Sequence, residues 1–469
     1  MEKPHLKSTE MPSVPTFETN PEPASQTQSA AAPTPEQSPE PAADSAPVSS
    51  QPAVFPAQTG ASTGRLQIDV TASIGLIPIP GATIRISFTG EPDSMVETLT
   101  TDSSGQTETV SLEAPPLQYS LTPDSPMPYA EYTVSVTAPG YEPVIVSGVE
   151  VLPDVTAIQQ IRMTPSETTT EDLERISIPD HTLYGDYPPK IPEDEIKPMD
   201  ETGEIVLSRV VIPEYIIVHD GVPSDSSAPN YYVKYRDYIK NVVSSEIYAT
   251  WPESTIYANT LAIMSFTLNR VYTEWYRNQG YNFTITSSTA YDQKWIRGRN
   301  IYTNIDRLVD TIFANYLSRP GVRQPIFTSY CDGRTTTCSG LSQWGSKYLG
   351  DEGYSAIEII RYYYGSDMYI NTAVAVSGVP SSWPGYNLGI GASGQKVLQI
   401  QQQLNRIAQN YPAIPKITAD GIYGSSTANA VRTFQRIFNL GQTGIVDYPT
   451  WYKISEIFVG VSRISEPGT

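Results

Sequence analysis

One glutamate stands in an apolar stretch of the sequence, where its carboxyl group could serve as a proton donor. Glu246 lies in the run NVVSSEIYATWP (residues 241–252), between a hydrophobic helical pattern and a second apolar stretch. On a helix it shares a face with Ile239, Val242 and Val243, which would direct it to packed structure or to the floor of a cleft. Such surroundings raise the pKa of a carboxyl group by desolvation, as a general acid near neutral pH requires. A glutamate that caps a helix or forms an ion pair is the structural alternative, and the pattern leaves both open.

Two cysteines offer a second kind of chemistry. Cys331 and Cys338 have six residues between them, including a glycine, and a disulfide fits a loop of this length. A zinc pair is the alternative. Zinc takes about four ligands, however, and only His219 and Asp332 are suggestive additional partners. The shortage of ligands favours a disulfide or free thiols, so we expect no cofactor and keep zinc as the alternative.

Composition argues against some classes of partner. The formal net charge is −20 and the pI is about 4.6, so phosphates would be repelled and a nucleic-acid partner is not expected. No stretch approaches the ~20 apolar residues of a membrane span. The N-terminal run MEKPHLKSTEMPSVP lacks the apolar core of a secretory signal. We therefore expect neither a membrane span nor a signal peptide.

The elements that must position Glu246 belong to a chain that the sequence predicts to be multidomain. Residues 1–62 are rich in Pro, Ala, Ser and Thr, which predicts a disordered tail. Residues 63–164 alternate apolar and polar residues, which predicts a small β-sandwich. The Pro-rich, acidic residues 165–212 predict an extended linker that is open to proteolysis. Residues 213–380 predict an α+β domain, in which NIDRLVDTIFANYL is a helix. Two amphipathic helices and a short third one predict a three-helix unit at 386–458.

The predicted sandwich resembles the carboxypeptidase regulatory-like (transthyretin-like) domains. Its segments PIPGATIRI, TTDSSGQT and APGYEP match a strand, a turn and a loop motif of that family. The resemblance implies a structural, inhibitory or adhesive role, and the segment could serve as a pro-region.

The C-terminal unit resembles the peptidoglycan-binding domain 1 family. The matching motifs are G-x-x-G-x-x-V-x-x-x-Q-x-x-L, D-G-I-Y-G-x-x-T-x-x-A-V-x-x-F-Q and G-I-V-D-x-x-T-W, at residues 391–404, 420–435 and 444–451. The resemblance implies a three-helix fold that holds cell-wall glycopeptide, so peptidoglycan is the expected partner.

Residues 235–370 resemble the stage II sporulation protein D (SpoIID) family of peptidoglycan lytic transglycosylases. The motifs YIKNVVSSEIYATWP, ANTLAIMSFTLNR, LSQWGSKYLGDEGY and IEIIRYYYG stand in the family's order. The resemblance implies that Glu246 is the catalytic acid and base. The chain departs from the family just before SQWG, where YCDGRTTTCSG replaces a histidine-glycine stretch. Some relatives are described as holding zinc through cysteine and histidine in this region.

The same resemblance suggests residues that would contact the sugar. Gln343 could hydrogen-bond an acetamido group and Trp344 could stack on a sugar face, with Ser342 beside them in the SQWG motif. Trp344 could equally be a core ring and Ser342 a helix cap. Tyr291 and Asp292, which follow a strand pattern, could line the cleft or close a turn.

The combined layout resembles spore cortex-lytic enzymes of the SleC type, which are made as pre-pro-proteins. This resemblance implies a location in the cortex or coat region of the spore, outside the forespore membrane. It also implies activation by a subtilisin-like protease during germination, either in the linker after the sandwich or at the end of the tail. Two alternatives remain: an N-acetylmuramoyl-L-alanine amidase, and a non-catalytic wall-binding spore protein.

Overall fold

A computed structural model describes residues 62–166, 173–185, 187–197 and 209–462. The predicted disordered tail lies outside the described residues except for Ser62, which begins the first strand. Residues 167–172, 186 and 198–208 of the predicted linker also lie outside them.

The first part of the described chain consists of strands whose side chains alternate between core and solvent. Along the first strand Leu66, Ile68 and Val70 are buried and their neighbours are more exposed, which is the period-two pattern of a half-buried sheet. A short helix, α1 (Gln118–Leu121), lies between the fourth and fifth strands. The strands are β1 (Ser62–Ala72), β2 (Thr83–Phe88), β3 (Met95–Thr100), β4 (Val110–Ala114), β5 (Ala130–Thr137), β6 (Val144–Val151) and β7 (Thr156–Met163).

The rest of the described chain combines short strands with helices. The strands are β8 (Glu174–Ser177), β9 (Val211–Ile212), β10 (Tyr215–His219), β11 (Asn230–Lys234), β12 (Ile285–Thr286), β13 (Ile301–Tyr302), β14 (Asn315–Ser318), β15 (Tyr330–Cys331), β16 (Leu341–Ser342), β17 (Tyr369–Thr372) and β18 (Ala375–Val376). The helices are α2 (Tyr235–Glu246), α3 (Glu253–Tyr272), α4 (Thr303–Ile312), α5 (Gln343–Asp351), α6 (Ala356–Tyr364), α7 (Gln395–Ile407), α8 (Ser425–Ile437) and α9 (Tyr448–Ser462).

The two sheets of the strand-rich part extend beyond the segment predicted for the sandwich. One sheet has the order β13-β7-β1-β4 and the other has the order β3-β2-β5-β6-β8. Strand β8 comes from the predicted linker, and β13 comes from the predicted α+β domain. An unpaired sheet edge offers free backbone groups to any neighbouring segment. These two additions are only four and two residues long, which is too short for a period-two pattern to reveal them.

Helix α3 is the centre of the part that carries Glu246. Nearly all of its side chains are buried, including the small residues Ala258, Ala262 and Ser265. Ser265 Oγ accepts a hydrogen bond of 2.6 Å from the backbone N–H of Leu317 in β14. Small residues on this face allow the backbones of α3 and β14 to approach each other closely.

The helix predicted from NIDRLVDTIFANYL is shorter than expected. Helix α4 ends at Ile312, and residues 315–318 form strand β14, which pairs antiparallel with β17. The apolar residues Tyr316 and Leu317 continue the hydrophobic pattern on a strand instead. Pairing with a segment more than 50 residues away overrides the local helical pattern.

The C-terminal unit contains three helices, and the third is longer than the short helix expected from the sequence. Helix α9 has 15 residues, while α7 and α8 have 13 each. Val431, Phe434 and Trp451 are fully buried together with the inner faces of these helices. Arg236 of α2 forms ion pairs with Asp310 of α4 and Glu456 of α9, which ties this unit to the helices before it.

Candidate active site

Glu246 is the last residue of α2, and its side chain is completely enclosed. Its exposed fraction is 0%, in agreement with the helical face predicted from the sequence. The Oε1 atom accepts a hydrogen bond of 2.7 Å from the backbone N–H of Lys294. The Oε2 atom lies 3.4 Å from Gln343 Nε2, which is at the weak limit of a hydrogen bond. The backbone N–H of Lys294 therefore orients the carboxyl group.

Burial raises the pKa of Glu246 above its ordinary value of 4.5, because the charged form is poorly solvated in the interior. The Lys190 ammonium, the Lys294 backbone N–H and the Tyr330 hydroxyl act in the opposite direction. The net direction remains upward, so the site favours the protonated acid. This is the electrostatic condition that the sequence pattern suggested.

Part of the wall around Glu246 comes from residues 187–197, which the sequence analysis treated as linker. We call these residues the strap. Lys190 Nζ donates a hydrogen bond of 2.7 Å to the carbonyl oxygen of Asp292 and lies 4.2 Å from the ring centroid of Tyr330. Burial raises the pKa of the Tyr187 hydroxyl, and the neighbouring charges of Glu246 and Asp332 raise it further. Sequence reasoning missed both residues, since a Pro-rich acidic run carries no periodic signal of burial.

Asp292 belongs to a separate, fully satisfied cluster. Its carboxylate accepts hydrogen bonds from Arg270 Nε at 2.7 Å, from the Tyr276 hydroxyl at 2.6 Å, and from both the N–H and the hydroxyl of Thr286 at 2.9 and 2.7 Å. Four donors commit this carboxylate to structure. The N–H of the neighbouring Tyr291 donates to the carbonyl oxygen of Ser288 in a turn. The carbonyl oxygen of Tyr291 accepts a hydrogen bond from Arg270. These contacts match the turn alternative for both residues.

The SQWG motif lies at the site, but its side chains face inward. Ser342 Oγ accepts a hydrogen bond from the Gly345 N–H and caps α5. Trp344 is 4% exposed, and its ring centroid lies 4.9 Å from that of Trp251 and 6.2 Å from that of Tyr248. The structure thus gives Trp344 the core position and Ser342 the cap that the sequence left as alternatives. Contact of either residue with sugar stays a prediction, and Gln343 contacts Glu246 itself.

Cys331 and Cys338 are joined by a disulfide. The two other residues considered for zinc are engaged elsewhere. His219 pairs with Asn230 Oδ1 at 2.8 Å, and Asp332 accepts from the backbone N–H groups of Thr335 and Thr336. Within the described ranges there is no group of three or more His, Cys, Asp or Glu residues that could hold a metal ion. The zinc alternative therefore has no ligand set in this region of the structure.

Two segments of the chain match protein-family models. Residues 227–312 match the stage II sporulation protein (SpoIID) family, and residues 393–454 match the putative peptidoglycan binding domain family. The chain combines a SpoIID-type domain with a peptidoglycan-binding domain. This architecture fits a sporulation-related protein that acts on the cell wall, with peptidoglycan as a partner. The first match includes Glu246 and Lys294 but ends before Gln343.

Comparison with solved structures gives only partial similarities. The TIE protein of Bacillus anthracis is 18% identical over 22% of this chain and 17% of its own, with a TM-score of 0.16. Catechol 1,2-dioxygenase of Acinetobacter sp. ADP1 is 13% identical over 26% and 60%, with a TM-score of 0.17. The minor pilin GBS52 of Streptococcus agalactiae is 17% identical over 24% and 48%, with a TM-score of 0.16. The chain thus spans less than two thirds of each of these structures. No curated protein matches the sequence.

Among the described residues, none of the helices has the length and apolar character needed to cross a membrane.

Proposed function

We propose that this protein is a lytic transglycosylase that cleaves the MurNAc–GlcNAc bonds of spore cortex peptidoglycan and leaves 1,6-anhydro-muramyl ends. The observation that carries the proposal is the enclosed carboxyl group of Glu246, whose pKa burial raises above its ordinary value. The SpoIID-type and peptidoglycan-binding domains support the choice of substrate.

The reaction needs one group that first gives and then takes a proton. Glu246 donates its proton to the glycosidic oxygen as the bond from that oxygen to C1 of MurNAc breaks. The resulting carboxylate then accepts the proton of the C6 hydroxyl while the C6 oxygen bonds to C1, which closes the anhydro ring without water. The N–H of Lys294 binds Oε1 in both halves of the cycle and stabilises the carboxylate stage.

The surroundings of Glu246 support a single-carboxylate mechanism. Glycoside hydrolases generally use two carboxyl groups, about 5–9.5 Å apart. Burial raises the pKa of Glu246, and the groups that act against burial are Lys190, Lys294 and Tyr330. The nearby Asp292 is held by its four donors, so it is not available as a base for an attacking water.

One buried polar atom at the site supports a polyhydroxylated ligand. Gln343 Oε1 has no hydrogen-bond partner within the part of the chain that the structure describes. Unsatisfied buried polar atoms are uncommon in folded proteins and call for an explanation. A sugar hydroxyl or acetamido N–H would supply the missing donor.

We propose further that the chain is a zymogen, activated by a subtilisin-like protease during germination. Glu246 has no exposed surface, and the strap contributes Tyr187 and Lys190 to its cover. A glycan strand therefore reaches the acid only after the cover moves. Proteolysis within or beside the segment after the sandwich would release it, in the spore cortex or coat region.

The deciding experiment compares wild type, Glu246→Gln and Glu253→Gln on decoated spore cortex, with and without limited subtilisin treatment. Glu253 is exposed and seven residues away, so it serves as the matched control. We expect mass spectrometry to find anhydro-muramyl ends with wild type and Glu253→Gln, and none with Glu246→Gln. Free L-alanine termini would instead indicate the amidase alternative. Full lysis of the cortex by Glu246→Gln would refute the assignment of Glu246 as the catalytic acid. If wild type binds the cortex without cleaving it, the protein is a wall-binding protein.

A further inference from the structure

A carboxylate of the strap, that of Glu193, forms hydrogen bonds with a deeply buried arginine, Arg270. Glu193 accepts two parallel hydrogen bonds from Arg270, from Nη1 at 2.8 Å and from Nη2 at 2.6 Å. Lys197 Nζ adds a third at 2.6 Å. A two-pronged pair between a guanidinium group and a carboxylate is the strongest and most directional form of such a contact.

Arg270 is built to bind an anion. Its exposed fraction is 1%, and its guanidinium group lies about 5 Å from four aromatic ring centroids, namely those of Phe266, Trp275, Tyr276 and Phe327. Asp292 binds the Nε end. Both terminal nitrogens donate to Glu193, and Nη2 also donates to the carbonyl oxygen of Tyr291 at 3.2 Å. Loss of Glu193 removes the carboxylate from the two terminal nitrogens of a buried guanidinium group, which is unfavourable. An anion that takes that place when the strap leaves would restore the paired contact.

The anion site lies next to the proposed acid. Asp292 binds Arg270, and Lys294, two residues later, gives its N–H to Glu246. Two residues of extended chain span about 7 Å. Within the strap, Lys190 lies beside Glu246 and Glu193 lies on Arg270. The strap therefore runs from the acid to the anion site.

Backbone hydrogen bonds hold the strap along this path at two points. The N–H of Ile191 donates to the carbonyl oxygen of Ala290 at 2.9 Å, and the carbonyl oxygen of Glu195 accepts from the N–H of Phe327 at 2.9 Å. Glu195 also forms an ion pair with Arg319. By contrast, Asp194 between the two glutamates is exposed.

We propose that Arg270 is a binding site for a carboxylate of the substrate's muramyl residue, and that Glu193 of the strap occupies this site as a competing internal ligand. The inference rests on the proposed function, since it takes a peptidoglycan strand as the ligand. The carboxylate can be the free lactyl group of muramic acid or a carboxylate of an attached stem peptide. Both present the same planar anion to the guanidinium group.

The test uses the full chain and measures binding of three soluble probes by calorimetry. The probes are N-acetylmuramic acid, N-acetylmuramyl-L-alanyl-D-isoglutamine and N-acetylglucosamine, and the last has no carboxylate. We expect Glu193→Gln to bind one or both of the first two probes about tenfold more tightly than wild type, because the internal ligand loses its charge. Asp194→Asn should bind all three probes as wild type does, and N-acetylglucosamine should not distinguish the variants. A gain with the first probe alone identifies the lactyl group, and a gain with the second alone identifies the stem.

Two further variants make the result decisive. Glu193→Asp keeps the charge on a shorter side chain, so it should bind the muramyl probes more tightly than wild type, but by less than Glu193→Gln does. This variant provides the test where Glu193→Gln folds poorly. Adding Arg270→Lys to Glu193→Gln should remove the gain, because a lysine cannot make the paired contact. The inference is overturned if Glu193→Gln and Glu193→Asp bind the muramyl probes no better than wild type, or if N-acetylglucosamine gains equally. These outcomes are separate from the fate of Glu246→Gln in the cleavage assay, so the two proposals fail independently.

Discussion

The Oε1 atom of Glu246 accepts a hydrogen bond of 2.7 Å from the backbone N–H of Lys294, 48 residues further along the chain. A backbone donor cannot rotate away, so this contact fixes the orientation of the carboxyl group. The second oxygen lies 3.4 Å from Gln343 Nε2, and the Tyr330 hydroxyl also acts on the carboxyl group. Because the backbone holds Oε1, we expect Oε2 to be the oxygen that carries and transfers the proton.

The protonation state of Glu246 can be tested directly in the full chain. Burial raises its pKa above 4.5, so infrared difference spectra between wild type and Glu246→Gln should show a carboxyl band that titrates above pH 4.5. Because the folded pKa lies above the unfolded one, the stability tied to the proton is complete at low pH and is lost as the pH rises through the folded value. Glu246→Gln should therefore gain stability relative to wild type at pH 8 and show no gain at pH 4. A band that titrates below pH 4.5 would contradict the raised pKa.

Replacement of Trp344 should separate its packing role from any contact with sugar. The ring packs on Trp251 and Tyr248 in the interior, so Trp344→Ala should lower the free energy of unfolding by about 3–5 kcal/mol. Trp344→Phe keeps part of the ring and should cost clearly less. Chemical denaturation measures both. If Trp344→Ala is as stable as wild type but binds peptidoglycan poorly, the ring serves mainly the ligand.

Removal of the disulfide should loosen the segment that brings Gln343 to the site. Cys331 and Tyr330 form β15, which pairs with β16 immediately before Gln343. We expect a Cys331→Ser/Cys338→Ser variant to lose about 2 kcal/mol of stability, mainly because the unfolded chain gains freedom. The intact mass of wild type should lack two hydrogens relative to the reduced chain, and a chelator should leave its melting temperature unchanged. Free thiols together with a chelator-sensitive melting temperature would restore the zinc alternative.

The buried charges between α2, α4 and α9 should make stability depend on Asp310. Its carboxylate is fully buried and pairs with Arg236, Lys240 and Lys453. Asp310→Asn leaves these cations without their shared partner and should cost about 3–5 kcal/mol. The surface pair of Asp237 with Arg162 provides the control, because Asp237→Asn should change stability by less than about 1 kcal/mol.

The charge of Asp310 should also make the stability of the protein depend on pH in the acid range. The lysines and arginine around Asp310 lower its pKa from 3.8 to about 2, against the effect of burial. A lowered folded pKa contributes stability that is complete above pH 3.8 and is lost as the pH falls towards 2. The difference between wild type and Asp310→Asn should therefore shrink over that window. A difference that stays constant between pH 4 and pH 2 would show that packing, rather than charge, explains the cost.

The sequence by itself determined the features that repeat at short range. The apolar stripe of Ile239, Val242 and Val243 predicted that Glu246 would be enclosed, and it is. Alternation of apolar and polar residues predicted strands in the segment that contains β1, and helical periodicity predicted helices in the segment that contains α7 and α8. Such patterns can be recognised in the sequence because each depends on neighbours within one or two turns of a helix or along one strand.

The tertiary structure alone decided what surrounds the carboxyl group. Lys294 reaches Glu246 from 48 residues away, and Lys190 comes from a stretch whose composition predicted an exposed linker. Strands of two residues, such as β13, and the choice of a core position for Trp344 are equally invisible in the sequence. Contacts between distant segments leave no periodic signature, because they depend on the shape and the unpaired groups that the folded neighbours present. The burial of Glu246 could be predicted from its own neighbours in the chain, whereas the residues that cover it and the contact between the strap and Arg270 could not.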